Sequence, residues 1–274
     1  MIMIFVYRFL INLILLFSPI IILLRLFKGK EDKRRFLEKF CFFSKKRLIG
    51  DLIWFHGASV GEIQSIIPLL EKISKKKKLK QILITSNTLS SAKVIQKLKL
   101  KKVTHQYFPL DCDFLDKQFL DYWKPSKVFF IDSEVWPNMI LNLSQRKIKT
   151  ILLNGRITKK SFDRWMFFSN FAKNIFQKFD LCLSSNKEGV FFLKKLGALN
   201  VKFLGNLKFT QSENKRFFLD NKIKKFFNSK KIWCASSTHS NEEKFCASVH
   251  SKLKKRLNNL VTIIIPRHVE RTNK

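Results

Sequence analysis

Short apolar runs alternate with longer amphipathic ones along most of the chain. Residues 52–55, 81–85, 127–131, 150–153, 181–184, 201–204, 232–235 and 261–265 read as buried strands. Between them, apolar positions at helical spacing predict helices over 63–73, 89–98, 138–143, 161–176, 188–196 and 242–253. Regular alternation of the two predicts an α/β fold, a parallel sheet covered by helices on both faces. Such sheets bind ligands beyond the carboxyl ends of their strands, so candidate chemistry belongs there. A polar, charged stretch over 210–231 separates the first six strands from the last two and predicts a domain boundary. The shorter part has too few residues to bury a doubly wound sheet alone.

The first 27 residues break this pattern. From 9 to 24 only Asn12 and Ser18 interrupt an apolar run. Arg25, Lys28, Lys30, Lys33, Arg34 and Arg35 crowd its carboxyl side, whereas only Arg8 precedes it. This asymmetry predicts a membrane anchor over 1–27 with everything after it in the cytoplasm. A cleaved secretory signal would need a basic segment first and a small-residue cleavage site after, and neither is present. The run is marginal in length for a span, so a tilted spanning helix and an interfacial helix both stay open.

Composition narrows the class further. The 274 residues are 46% apolar, which excludes a disordered tail, and 8 Gly with 6 Pro exclude collagen-like or linker classes. Cys41, Cys112, Cys182, Cys234 and Cys246 are scattered and form no C-x-x-C pair, which predicts reduced thiols and no zinc site. With 54 Lys+Arg against 20 Asp+Glu the formal charge is +34. That points to a polyanion: nucleic acid, an anionic membrane face or phosphorylated substrates. Lysine runs at 75–78, 101–102 and 224–225 lie among Ile, Phe and Asn, and part of the excess reads as solvated surface. There is no P-loop, no G-x-G-x-x-G fingerprint and no internal repeat.

Several strand ends carry chemistry. The first runs into His56-Gly57-Ala58-Ser59-Val60-Gly61-Glu62, whose small residues let a ligand approach the backbone. Ser59-x-x-Glu62 also matches a capping box, so Glu62 reads either as a base at a strand end or as a cap. A helix amino end stabilises a carboxylate, so a base there needs desolvation to raise its pKa. The third predicted strand ends in Asp132-Ser133-Glu134-Val135-Trp136-Pro137-Asn138: two carboxylates that orient a hydroxyl or a cationic transition state, or cap a Trp-Pro helix start. Arg156, in Asn154-Gly155-Arg156, suits a phosphate or carboxylate. Lys208, in Gly205-Asn206-Leu207-Lys208-Phe209, suits developing negative charge. Ser236-Ser237-Thr238-His239, read as a helix amino end, and Pro266-Arg267-His268 suit phosphate.

Taken in order, these segments resemble the Kdo (3-deoxy-D-manno-octulosonic acid) transferases of lipopolysaccharide synthesis, and the likeness covers essentially the whole chain. It implies a GT-B-type glycosyltransferase with an acceptor-side Rossmann-like domain over 28–210. A linker and the start of an incomplete CMP-sugar-binding domain would follow over 211–274. It also implies inverting, metal-independent transfer of Kdo from CMP-Kdo to a tetraacylated lipid A precursor, lipid IVA, at the cytoplasmic face of the inner membrane, without a cofactor. By motif match Glu62 would accept the proton, and Asp132 and Lys208 would stabilise the transition state. Ser59, Gly61, Arg156, Ser237, Thr238, His239, Pro266 and Arg267 would bind substrate, with Pro266 and Arg267 in the CMP site. Implied partners are CMP-Kdo, the lipid A precursor and anionic inner-membrane lipids, with no nucleic acid.

Two departures from the family pattern stand out. Asp132 occupies a position that is usually glutamate, which shortens the side chain by one methylene and weakens the role. The Gly-rich segment and the Asn-Pro-x-x-Glu motif of the family's second domain do not occur before Lys274. The competing readings are a membrane-attached polyanion binder without turnover and a lipid-A-pathway transferase using a UDP-sugar.

Overall fold

The computed structural model describes residues 2–98, 100–210 and 220–267. The chain divides into two compact units, Met1–Ser212 and Glu213–Lys274.

The first unit is built on seven parallel strands: β1 (Asp51–His56), β2 (Leu79–Ser86), β3 (Val103–Tyr107), β4 (Lys127–Ile131), β5 (Lys149–Gly155), β6 (Leu181–Ser184) and β7 (Val201–Phe203). Their order is β3-β2-β1-β4-β5-β6-β7. The chain winds outward in one direction from β1 and then in the other from β4, so the β1/β4 junction is the point where strand order reverses. Helices connect the strands: α1 (Ile2–Phe27) precedes the sheet, and α2 (Val60–Ser74), α3 (Leu89–Gln96), α4 (Asp113–Trp123), α5 (Pro137–Gln145), α6 (Lys159–Phe167), α7 (Ser169–Phe176) and α8 (Lys187–Lys195) follow in turn.

Period-two alternation within the central strands divides the core. Trp54, Phe130 and Leu152 point to one face, where they meet Phe119, Ile140, Ile175 and Leu193 from α4, α5, α7 and α8. Their neighbours Phe55, Ile131 and Leu153 point to the other, where they meet Ile63, Ile66 and Leu70 of α2 and Ile95 of α3. Burial on both faces is why these strands read as continuous apolar runs.

The predicted strands are all present, and one more is found. The sequence reading passes over β3, because V-T-H-Q-Y places polar His105 and Gln106 inside. His105 Nε2 bonds Ser86 Oγ (2.9 Å), and the carbonyl of His105 accepts from Arg35 Nη2 (2.7 Å). Burial and the neighbouring Arg35 cation push the His105 pKa down to about 3, so the ring is neutral. Helix α4 is likewise additional. The helix predicted over 161–176 is two helices, broken at Phe168, which closes α6 and opens α7 at φ −117°, ψ 56°.

The basic connector after α1 is more than solvated charge. Arg25 and Lys39 both pair with Glu31, and Arg35 pairs with Glu38 at 2.9 Å. Both carboxylates are buried, and Glu38 also accepts the Tyr107 amide, which ties the short 3-10 helix Phe36–Phe40 to β3.

Helix α1 is long and apolar enough, by length and composition, to cross a membrane. It nevertheless lies against the first unit. Tyr7 Oη bonds Asp111 (2.5 Å), Arg8 pairs with Asp113 (2.7 Å) and bonds Asn138 (3.0 Å), and Asn12 accepts from Cys112 Sγ.

The second unit, within its described residues, holds α9 (Asn221–Phe227), β8 (Lys231–Thr238), α10 (Glu242–Lys254) and β9 (Leu260–Pro266). β8 and β9 pair in parallel across α10, a single βαβ turn. Ile232, Phe245 and Ile265 are exposed in it.

Candidate active site

The loops after β1 and β4 meet at the reversal of strand order, and they carry the acidic residues singled out in the sequence. After β1, Gly57 lets the chain turn tightly into α2. A Cβ there would come within 3.1 Å of Ile131 and Ile63 and 3.2 Å of the Glu62 Cβ. Ser59 then caps α2, and the capping box is fully formed: Ser59 Oγ accepts the Glu62 amide (3.3 Å) while the Glu62 carboxylate accepts the Ser59 amide.

The cap does not exhaust Glu62. Its Oε2 also accepts the Ala58 amide at 2.7 Å, and its Oε1 accepts the Ser59 hydroxyl at 2.7 Å. Burial nonetheless pushes its pKa above the usual glutamate range. The hydrogen bonds from Ser59 and Ala58 oppose that shift, while nearby Glu134 and Asp132 reinforce it. Cap and strand-end base are therefore compatible descriptions of one side chain.

After β4, neither carboxylate caps the Trp-Pro helix start. Trp136 is the N-cap of α5, with Pro137 in the first turn, and the donors of that turn go elsewhere: Asp111 accepts the amides of Asn138 (3.2 Å) and Met139 (2.9 Å). This frees Asp132 and Glu134 for the strand-end crevice.

Asp132 is buried, at φ 57°, and its carboxylate accepts the side-chain amide of Asn154. Burial raises its pKa, against the opposing pull of Asn154, Lys208 and Arg156. Asn154, itself at φ 59°, also accepts the Leu207 amide at 3.0 Å. It thereby fastens the 3-10 turn Leu207–Thr210 that carries Lys208. The Lys208 ammonium lies over Gly61, 3.8 Å from where a Cβ would stand. Arg156 is exposed on the neighbouring loop, its amide bonded to the Asp132 carbonyl (3.1 Å).

Glu134 ends a hydrogen-bond chain that starts in the core. Trp54 Nε1 donates to Thr85 Oγ1 (2.9 Å), and Thr85 pairs with His56 Nδ1 (2.9 Å). His56 Nε2 faces Glu134 Oε2 (3.2 Å), which also accepts Trp136 Nε1 (2.9 Å). Every donor is matched when Thr85 donates to Nδ1 and the imidazole proton sits on Nε2, so this tautomer is assigned from the network.

Glu62, Asp132, Lys208, Ser59, Gly61 and Arg156 thus come together in one place. A carboxylate of raised pKa, a helix amino end and two cations are assembled there, an arrangement suited to removing a proton from a hydroxyl beside an anion.

The sequence profile of the 3-deoxy-D-manno-octulosonic-acid transferase (kdotransferase) family matches residues 34–211, more than half of the chain. The chain belongs to this family. It is 35% identical over 268 residues to the 3-deoxy-D-manno-octulosonic acid transferase of Rickettsia bellii, covering 97% of this chain and 63% of that protein. It is 30% identical over 302 residues to the namesake of Rickettsia felis, covering 92% and 64%. The chain therefore spans somewhat under two thirds of the length of these Kdo transferases. Among solved structures, an S. aureus MnaA–UDP complex superposes with a TM-score of 0.54 at 16% identity, over 81% of this chain and 64% of that one. That likeness is one of fold, and it agrees with the α/β class read from the sequence and the GT-B type that the family resemblance implies.

The other site residues expected in a Kdo transferase lie in the second unit. Ser236 to Thr238 do not open a helix as anticipated. They finish β8, with a register shift opposite β9, and α10 starts only at Glu242 after Asn241 at φ 74°. Ser237 sits at φ 60° and is exposed. Thr238 is buried, and its hydroxyl bonds Glu243 (2.8 Å), while the His239 amide donates to Glu242 (2.7 Å). The two strand ends meet: Thr238 is in register with Pro266, and the Arg267 amide bonds the Thr238 carbonyl at 3.1 Å. His268 lies outside the described residues.

The sequence reading left His56, Trp136 and Asn154 out of the site and gave Glu134 no separate role, although all four stand in the segments that carry the family resemblance. Their signal was position: Glu134 and Trp136 lie within five residues after the end of β4, and His56 and Asn154 are the last and next-to-last residues of β1 and β5.

Proposed function

We propose that this chain supplies the acceptor side and the beginning of the nucleotide side of an enzyme that transfers Kdo from CMP-Kdo to a lipid A precursor, lipid IVA, at the cytoplasmic face of the inner membrane. Glu62 removes the proton from an acceptor hydroxyl. The freed oxygen bonds to the anomeric carbon of Kdo as the bond from that carbon to the CMP oxygen breaks, and CMP leaves with the bonding electrons. Attack opposite the leaving group inverts the anomeric centre.

Each neighbour of Glu62 has a part in this reading. Asp132 and Glu134 face the positive charge that develops on the sugar ring. Lys208 and Arg156, with the amino end of α2, meet the negative charge of the Kdo carboxylate and the departing phosphate. Ser59 and Gly61 shape the approach to Glu62. Ser237, Thr238, His239, Pro266 and Arg267 take the cytidine nucleotide in the second unit. Anionic lipids attract the basic connector after α1.

The observation that carries the proposal is Glu62 itself, a capping residue whose carboxylate is at once desolvated and beside two further carboxylates. Substitution separates its two roles, because glutamine preserves a capping box but is no base. In the longest reading frame containing this chain, incubated with CMP-Kdo and lipid IVA, Glu62→Gln should lower transfer by roughly 10²–10⁴-fold with an unchanged melting temperature. Ser59→Ala should cost about 1 kcal/mol of stability and far less turnover. Retained transfer in Glu62→Gln would assign the residue to capping alone.

A further inference from the structure

Helix α1 is sided. Tyr7, Arg8 and Asn12 all turn their polar groups to the first unit, where each finds a partner. Ser18 and Ile22, further along the same face, are buried. The remaining faces present Phe5, Phe9, Leu13, Phe17 and Ile20 to the exterior. Polar contacts at Tyr7, Arg8 and Asn12 hold the amino-terminal half of α1 against the rest of the unit, and Ser18 and Ile22 continue that face. Its outward apolar face suits a position in the interface plane.

Beneath α1 run two apolar cavities that share Leu15 as a wall. The larger, about 630 Å³, lies between α1, the 3-10 helix Phe36–Phe40 and α4, and Gln118 is the sole polar side chain among its lining residues. The smaller, about 220 Å³, lies between Ile11 and Leu15 of α1 and Phe108, Pro109 and Trp136 beyond the strand ends. Trp136 connects this cavity to the site: its ring lines the cavity, while its indole N–H bonds Glu134.

Resting on the proposed acceptor, we infer that these two cavities form one trough that seats acyl chains of the lipid acceptor, with α1 lying in the membrane surface. The larger cavity offers only Gln118 as a hydrogen-bond partner, and in the smaller one Lys39 and Asp111 are already paired with Glu31 and Tyr7, so water is poorly held there and apolar chain is favoured. Trp136 closes the smaller cavity and bonds Glu134, so a chain seated there brings the head of the same molecule beside Glu134 and Glu62. A bulk phospholipid has no sugar for that end of the trough, and the acceptor has one.

Three photoreactive probes test this in vesicles of phosphatidylethanolamine and phosphatidylglycerol: lipid IVA with a diazirine at an acyl tip, lipid IVA with one on the sugar, and phosphatidylethanolamine with one at an acyl tip. The acyl-tip acceptor should label peptides containing Phe36, Phe40, Phe108 and Phe114. The phospholipid should label the outward face of α1, around Phe9 and Phe17. Leu15→Trp fills the shared wall and should reduce trough labelling by the acceptor about tenfold, with phospholipid labelling of α1 unchanged. Ile11→Trp gives the same test at the smaller cavity, and if both variants unfold, the wild-type labelling map decides.

Acceptor labelling confined to the outward face of α1, or equal trough labelling by the phospholipid, overturns the inference. The sugar probe separates this from failure of the acceptor assignment. Labelling around Glu62 without labelling in the trough sinks the trough alone, and no labelling around Glu62 sinks the acceptor.

Discussion

Asn154 donates its side-chain amide to the carboxylate of Asp132, and both residues occupy left-handed backbone conformations, φ 59° and 57°. The same Asn154 side chain accepts the Leu207 amide, so one residue holds the β4 loop, the end of β5 and the turn bearing Lys208 in a fixed relation. Asparagine is among the few residues that tolerate such a conformation while offering both a donor and an acceptor.

Asn154→Gly should keep the backbone and lose the bridge, while Asn154→Asp should place a second carboxylate against Asp132. Both should destabilise the first unit by about 1–3 kcal/mol, because buried groups lose their partners. Transfer should fall further in the aspartate variant, where repulsion displaces Asp132. Thermal unfolding and initial rates measured side by side check this. Unchanged values in Asn154→Gly would leave Asn154 as a turn residue only.

The pH dependence of Glu62 acts in opposite directions on activity and stability. Burial raises its pKa above the ordinary glutamate value of 4.5, so the folded protein holds this proton more tightly than the unfolded chain. The resulting stability is fully present below 4.5 and is lost as pH rises through the raised value. With Glu62 as the proposed base, activity should rise over the same window. Glu62→Gln should flatten the stability slope there, as read by melting temperature against pH. A wild-type acid limb of transfer at or below the ordinary glutamate range would show that another group controls it.

The contrast between what the sequence disclosed and what it concealed has a physical source. β1, β2, β4 and β5 are apolar because helices cover both sides, so the strands and the chemistry at their ends were visible. The edge strand β3 was not, because polar His105 and Gln106 turn inward, where Arg35 and Ser86 bond His105. Glu62 and Asp132 were legible as strand-end acids beside small residues. Asn154 was not legible as a clamp, since its role depends on two positive φ values and on a loop 53 residues further along the chain. The two readings of Glu62, cap and base, could not be separated on paper because the formed cap leaves the same carboxylate desolvated at the strand end. The helix expected at Ser236–His239 failed for a related reason: hydroxyl-rich residues suit a strand end with a register shift as well as a cap.

The buried pair Asp111 and Asp116 offers a test away from the site. Asp111 accepts Tyr7 Oη and two amides of α5, whereas Asp116, fully buried, has no donor for either oxygen unless it keeps a proton to share with Asp111. Burial, and then the Asp111 charge, hold the Asp116 pKa well above the ordinary 3.8. The unfolded chain releases this proton near 3.8 and the folded chain keeps it, so stability declines as pH rises from there through the raised value. Asp116→Asn supplies a permanent donor to Asp111 with no charge to bury. It should remove that decline and, at neutral pH, stabilise the first unit by about 1–3 kcal/mol. Asp111→Asn should do the opposite, since the amides of Asn138 and Met139 lose a charged acceptor at the start of α5. Denaturant unfolding at several values between about pH 5 and 8 reads both effects. An Asp116→Asn variant with the wild-type slope would mean that Asp116 is ionised in the folded protein and that a cation or water satisfies it.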